Sequence, residues 1–246
     1  MNKYLISAII VFVFIIGIII GFQFAPIKTK EIVKEIKVND NYIGERQVES
    51  NIVAVDNKGN GVTAKLITEV RPGQGLVLVN INKVLADLST QYSARIAAQA
   101  ASNYTNISLN NLDISYSIIG NASVIGGPSA GSMMAVSAIA ALENKSLNNT
   151  VFMTGTIKED GSIGEVGAIL EKGQAAKEHN GTLFLVPKGL GESIVKYKEE
   201  QICSDYKGIQ FCEIKYIPEK VNIGEQVGIK VKEVSSIGEA LKYFLQ

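Results

Sequence analysis

Gly126-Gly127-Pro128-Ser129-Ala130-Gly131 sets a serine among glycines at the head of an Ala/Met-rich run, Ser129 to Leu142, that reads as a helix. The combination suits a nucleophile. Glycines let a backbone approach a substrate closely, and free N–H groups at a helix N-terminus can hold a developing oxyanion. The same six residues also suit a plain loop whose serine caps the helix. A serine hydroxyl needs an activator to attack a carbonyl. The chain holds one histidine, His179, which limits any His-based machinery. A lysine can serve instead when burial strips part of its proton affinity. Lys172 is the candidate: Ile169 three residues before and Ala176 four after place it beside the apolar stripe of a helix read over Val166–Glu178.

Outward from this core, strands and helices interleave. Asn51–Val55 reads as a strand, Asp56–Gly61 as a turn, and Val62–Val70 with Leu76–Ile81 as a strand pair joined by Arg71-Pro72-Gly73-Gln74-Gly75. Val84–Ser102 is expected to be an amphipathic helix, with Leu85, Leu88, Tyr92, Ile96 and Ala100 as its apolar stripe. Further strands are expected at Asp113–Ile119, Val151–Ile157, Thr182–Val186 and Phe211–Ile217, and helices at Glu192–Gln201 and Ser236–Phe244. The class is therefore α/β, or α+β with a mixed sheet.

Five blocks along the chain resemble the proteolytic domain of Lon proteases. They are Gly127-Pro128-Ser129-Ala130-Gly131, Met153-Thr154-Gly155, Gly164-Glu165-Val166-Gly167, Glu171-Lys172 with Ala175-Ala176, and Leu185-Val186-Pro187, in the family's order and at similar spacing. Arg71–Gly75 is similar to the family's Pro-Gly-x-Gly turn. The resemblance implies the Lon-type α/β fold, a Ser129 nucleophile, a Lys172 general base and a Thr154 hydroxyl that orients the lysine amine. Oxyanion contacts are expected from the backbone around Gly127, Pro128 and Ala130. It also implies assembly into a homo-oligomeric ring, commonly a hexamer, acting on peptides or unfolded proteins without a cofactor. Two positions depart from the family: Gly126 and Thr156 stand where many members carry an acidic residue. No G-x-x-x-x-G-K-[ST] phosphate loop occurs in the sequence. Unfolding of substrates is therefore expected to need a separate ATPase or membrane partner.

The N-terminus carries a different signal. Tyr4 to Phe24 is uncharged and rich in Ile, Val and Phe; a helix of that length spans roughly 30 Å, the thickness of a bilayer core. The expected organisation is a transmembrane anchor over residues 1–26, a charged linker or stalk over 27–50 and the proteolytic domain over 51–246. Basic residues after the span favour a cytoplasmic domain. Cys203 and Cys212, spaced for a hairpin disulfide, and several Asn-x-Ser/Thr triplets favour the extracytoplasmic side, towards which the reading leans. Lys+Arg and Asp+Glu are both 24, so no basic excess points to nucleic acid. No Cys/His cluster has metal-ligand spacing. The rival readings are an α/β-hydrolase elbow at Gly127–Gly131, which would need His179 as its base, and a non-catalytic Lon-like assembly or substrate-binding module.

Overall fold

The computed structural model describes residues 44–121 and 124–245. The expected span Tyr4–Phe24 and most of the expected linker lie outside them. Among the described residues no helix is long and apolar enough to cross a membrane.

Strand β1 (Arg46–Val55) begins five residues before the expected domain start and pairs antiparallel with β2 (Gly61–Pro72). Asp56 closes the turn between them by accepting from the N–H groups of Lys58 and Asn60 at 2.8 Å each. Short strand β3 (Val77–Asn80) follows, but it does not pair with β2 as expected. β5 (Leu112–Ile119) lies between them, antiparallel to β2 and parallel to β3, giving the order β1-β2-β5-β3. The reason is local. The Asp113 carboxylate accepts from the N–H groups of Gln74 and Leu76 at 2.8 and 2.9 Å. The Arg71–Gly75 segment therefore wraps the start of β5 instead of turning β2 back on itself.

The helix expected over Val84–Ser102 divides into β4 (Leu85–Ala86) and α1 (Leu88–Thr105). Asp87 caps α1 by accepting from the Thr90 N–H at 2.7 Å. The expected stripe is also corrected. Ala100 is buried and Ile96 packs against the core as expected, but Leu85, Leu88 and Tyr92 are exposed, and the buried face of α1 is filled by Ser93, Ala94, Ala97, Ala98 and Ala101. That face lies against α2 (Gly131–Glu143), which is buried along its length from Gly131 to Leu142. Two helices crowded into one core approach closely only through small side chains; leucines on the seam would hold them apart.

Strand β6 (Val124–Ile125) pairs with β4 in parallel, and a 3-10 turn, Pro128–Ala130, then leads into α2. The expected strand Val151–Ile157 breaks into β7 (Val151–Met153) and β8 (Thr156–Ile157), the latter paired with β9 (Ile163–Gly164). After α3 (Ile169–Glu178), strand β10 (Leu183–Pro187) completes a parallel sheet between β7 and β13 (Lys230–Val234). Alternation along these strands divides two cores. Met153 and Leu185 join α2 and α5 (Ile237–Phe244) in one. Phe152, Phe184 and Val186 join Ile169, Ala175 and Ala176 of α3, with Ile223 of α4 (Ile223–Val227), in the other.

The helix expected over Glu192–Gln201 is absent. Residues Glu192–Tyr206 form β11, paired antiparallel with β12 (Ile209–Asn222) in a long two-stranded ribbon. Glu and Lys in this segment suit a helix, but the partner strand overrides that weak preference. The turn fixes the pairing: Lys207 and Gly208, both at positive φ (56° and 79°), make a two-residue hairpin loop. Cys203 and Cys212 stand opposite each other and form a disulfide.

Candidate active site

Ser129 sits in the 3-10 turn, half-buried, one turn ahead of α2. Its backbone is held from two sides. The carbonyl accepts from the Gly155 N–H at 2.9 Å and from the Thr154 hydroxyl at 3.3 Å. The Ser132 N–H in turn donates to the Gly155 carbonyl at 3.1 Å. These bonds clip the serine turn to the C-terminal end of β7. Space there is tight: a Cβ added to Gly155 would meet Ile163 Cγ2 at 2.6 Å and Ser132 Oγ at 3.1 Å. The Ser132 hydroxyl is fully buried and has no hydrogen-bond partner among the described residues.

Upstream, the loop is anchored to α1. The Gly127 N–H donates to Ser89 Oγ at 3.0 Å and to the Asp87 carboxylate at 3.2 Å. This corrects one expected oxyanion contact, because an N–H already bound to a carboxylate is not free for an oxyanion. Pro128 has no N–H at all. The donors left at the head of the turn are the N–H groups of Ser129 and Ala130. Asp87 also stands against Gly126, where a Cβ would meet its Oδ2 at 2.7 Å. An acid thus occupies the space beside Gly126 after all, delivered by the α1 cap. Neither Asp87 nor Ser89 was singled out from the sequence. The signal that could have found them is Asp87-Leu88-Ser89-Thr90, an N-cap pattern hidden by starting the helix at Val84.

Lys172 lies in the first turn of α3 and is 4% exposed. Its amine makes no hydrogen bond or ion pair among the described residues. Burial therefore holds its pKa below the ordinary lysine value, with the neighbouring Glu171 charge opposing that in smaller measure. The α3 face that carries it covers the Phe152–Phe184–Val186 side of the parallel sheet. Thr154 follows Phe152 by two residues and continues the ladder, its N–H donating to the Leu185 carbonyl at 3.1 Å. Its side chain is fully buried and reaches the Ser129 carbonyl. So the structure joins Ser129 and Thr154 directly, and carries Lys172, buried, on the helix that covers the Phe152 side of the sheet.

α3 itself is pressed close to β2. Gly61 abuts the Glu171 carbonyl, where a Cβ would clash with backbone and would lie 3.1 Å from the Ala175 Cβ. His179 is only the C-cap of α3, a placement that gives the hydrolase reading no support. Among the described residues no group of His, Cys, Asp and Glu is placed to hold a metal ion.

Residues 68–221, more than half of the chain, match the family model described as Lon protease (S16) C-terminal proteolytic domain. The chain belongs to the Lon protease family. It is 27% identical over 180 residues to an archaeal Lon protease of Archaeoglobus fulgidus, covering 66% of this chain and 28% of that protein. It is 28% identical over 130 residues to the archaeal Lon protease of Thermoplasma volcanium, covering 52% and 20%. Lon protease 2 of Bacillus subtilis is 35% identical over 72 residues, covering 29% and 13%. The chain thus spans less than a third of the length of these relatives. The mixed α/β architecture agrees with the Lon membership.

Proposed function

We propose that this chain is a serine endopeptidase of the Lon type, with Ser129 as nucleophile and Lys172 as general base. The observation that carries the reading is the Lys172 amine: it is buried, without a partner among the described residues, on the helix that covers the sheet ending at the threonine that grips Ser129. A lysine is rarely buried unpaired for stability, since desolvating the charge is costly. As a base it benefits, because burial favours the neutral amine that can accept a proton.

The chemistry balances as follows. Neutral Lys172 Nζ takes the Ser129 hydroxyl proton while Oγ bonds to the peptide carbonyl carbon. The carbonyl oxygen becomes an oxyanion, held by the Ser129 and Ala130 N–H groups. Protonated Lys172 gives its proton to the leaving nitrogen as the C–N bond breaks. Water, deprotonated by Lys172, then cleaves the Ser129 ester. Thr154 donates to Ser129 and retains lone pairs that can accept from the Lys172 amine, so one hydroxyl can set the geometry of both.

The 246 residues hold no phosphate loop, so peptide hydrolysis by this chain is independent of ATP. Substrates are peptides and unfolded proteins, with any unfolding supplied by a separate ATPase or membrane partner. Residues 1–26 anchor the chain to a membrane, the domain lies on its extracytoplasmic side, and copies assemble with one another.

The test uses the chain lacking residues 1–43, with casein as substrate and no nucleotide. Wild type should cut; Ser129→Ala and Lys172→Ala should not, with circular dichroism unchanged. Cleavage by both variants at the wild-type rate would remove the dyad. Three folded but inactive proteins would favour a non-catalytic assembly module.

A further inference from the structure

Among the described residues the ribbon β11–β12 is exposed along most of its length, and its strands pair only with each other; fourteen residues at 3.3 Å reach ~45 Å. Cross-strand register divides it into two faces. One carries Tyr197, Ile214, Tyr216 and Pro218 beside the Cys203–Cys212 disulfide; the other carries Ile202, Tyr206, Ile209 and Phe211. All eight are exposed, the tyrosines by 59–65%. A two-stranded ribbon is at best marginally stable by itself, and apolar surface on both faces marks a contact surface.

The same chain has a second open apolar surface. Leu76 and Leu78 around β3, Ile81, Leu85 on β4, and Leu88 and Tyr92 on α1 are exposed by 36–81%. β3 is the edge of its sheet. The two surfaces are rooted in different cores of the domain. β3 packs Val77 and Val79 into the α2 core, whereas the ribbon's base, Leu190 and Ile223, packs into the α3 core.

We infer that the β11–β12 ribbon is an arm that docks on a second copy of this chain, across the β3–β4–α1 surface. Area supports a second copy. The face with Ile202, Tyr206, Ile209 and Phe211 leaves on the order of 450 Å² of apolar residue surface open, and the β3–β4–α1 surface on the order of 600 Å², about the apolar share of the ~800 Å² per partner of a stable interface. A bilayer is a poor occupant: hydrocarbon cannot satisfy the unpaired edge groups of a ribbon, and Lys198, Glu199, Glu200 and Lys215 lie along its shaft. A protein surface ending in an unpaired strand can satisfy them, by extending the β3 edge. Two unlike surfaces on one chain make a head-to-tail contact, which propagates around a closed set of copies. The contact deepens the self-assembly proposed above and does not depend on peptidase activity. It also has a consequence for the site, because Asp87 and Ser89, which hold Gly127, lie within the docking surface. A docked arm would cover the flank of its neighbour's serine loop.

The test uses the full chain in detergent, with p-benzoylphenylalanine at position 209, on the face that carries Tyr206 and Phe211, and equal parts of isotope-labelled and unlabelled copies. Irradiation should join labelled to unlabelled chains, with the far end of the crosslink in residues 76–92. Tyr206→Ser combined with Phe211→Ser should weaken association roughly a hundredfold, and Leu88→Ser combined with Tyr92→Ser by a similar factor. Mixing these two double variants should restore one contact and give a dimer. That outcome needs both to be folded and cannot arise from misfolding. Crosslinks confined to single chains would overturn the arm. So would an assembly whose crosslinks miss residues 76–92, which would leave the self-assembly proposed above standing without it.

Discussion

Gly61→Ala is the sharpest probe of how the site is built, because it changes no catalytic atom. Gly61 opens β2, and its Cα faces the carbonyl of Glu171, the residue before Lys172. A methyl group there would fall far inside the contact distance of that backbone oxygen and within 3.1 Å of the Ala175 Cβ. Backbone cannot rotate away as a side chain can, so β2 and α3 must separate by more than about 1 Å. Overpacking of this kind costs ~1–3 kcal/mol, or a fall in Tm of roughly 3–10 °C for a domain this size. The effect on turnover should be larger, because a catalytic group displaced by about 1 Å can lose ~100-fold in rate. Gly59→Ala is the control. It lies two residues away in the same turn, at φ +82° with nothing within 4 Å, so an alanine there pays only ~1–2 kcal/mol of left-handed strain. Both variants would be followed by thermal unfolding and by kcat/KM on an unstructured substrate well below Tm. The expected pattern is comparable destabilisation, with a loss of activity of roughly two orders of magnitude confined to Gly61→Ala. Equal activities at equal stability would refute the claim that the β2–α3 contact sets the position of Lys172.

Three further outcomes follow from the same geometry. Burial lowers the Lys172 pKa, so the native state sheds this proton at a lower pH than the unfolded chain. Stability should therefore rise with pH between the depressed native value and the unfolded value of ~10.4, and activity should rise through the native value. Lys172→Met should flatten the stability rise in pH-dependent unfolding, match or exceed wild-type Tm near neutrality, and lower turnover by roughly a thousandfold or more. Asp87→Ala should cost ~1 kcal/mol as a lost cap and also reduce kcat severalfold, since Asp87 holds the Gly127 N–H. Ser236→Ala, which removes the cap of α5 alone, should lower Tm by a similar amount and leave kcat intact.

What was legible in the sequence is what local chemistry dictates. The serine turn and the Asp56–Gly61 hairpin each depend on glycine, proline or Asx residues acting within a few positions. The pattern of α3 likewise placed Lys172 beside buried neighbours. The failures share another cause: choices decided by partners distant in sequence. Nothing within Leu76–Ile81 says that β5 will enter between it and β2, since the deciding group is Asp113. The stripe of α1 was misread because size was taken as a sign of burial. The seam with α2 is built from alanines, and the leucines were left outside. Glu192–Gln201 has helical composition, and only its pairing with Ile209–Asn222 makes it a strand.

These failures lie where the chain presents itself to something else. Leu85, Leu88 and Tyr92 look like core residues because they are the right size for one, and the fold instead buries alanines beneath them. The ribbon looks like a helix because its charges suit one, and it carries aromatics that neither helix nor domain covers. In a chain that folds alone, an apolar residue that the core rejects costs solubility and contributes nothing. Two such sets occur here, of similar area and rooted in different cores of one domain. The arm-and-surface contact accounts for both with a single interface. It also explains why the α1 cap, and not the loop itself, supplies the acid beside Gly126. Asp87 stands where a docked neighbour would press, and it reaches the backbone of Gly127, two residues from Ser129, through one hydrogen bond.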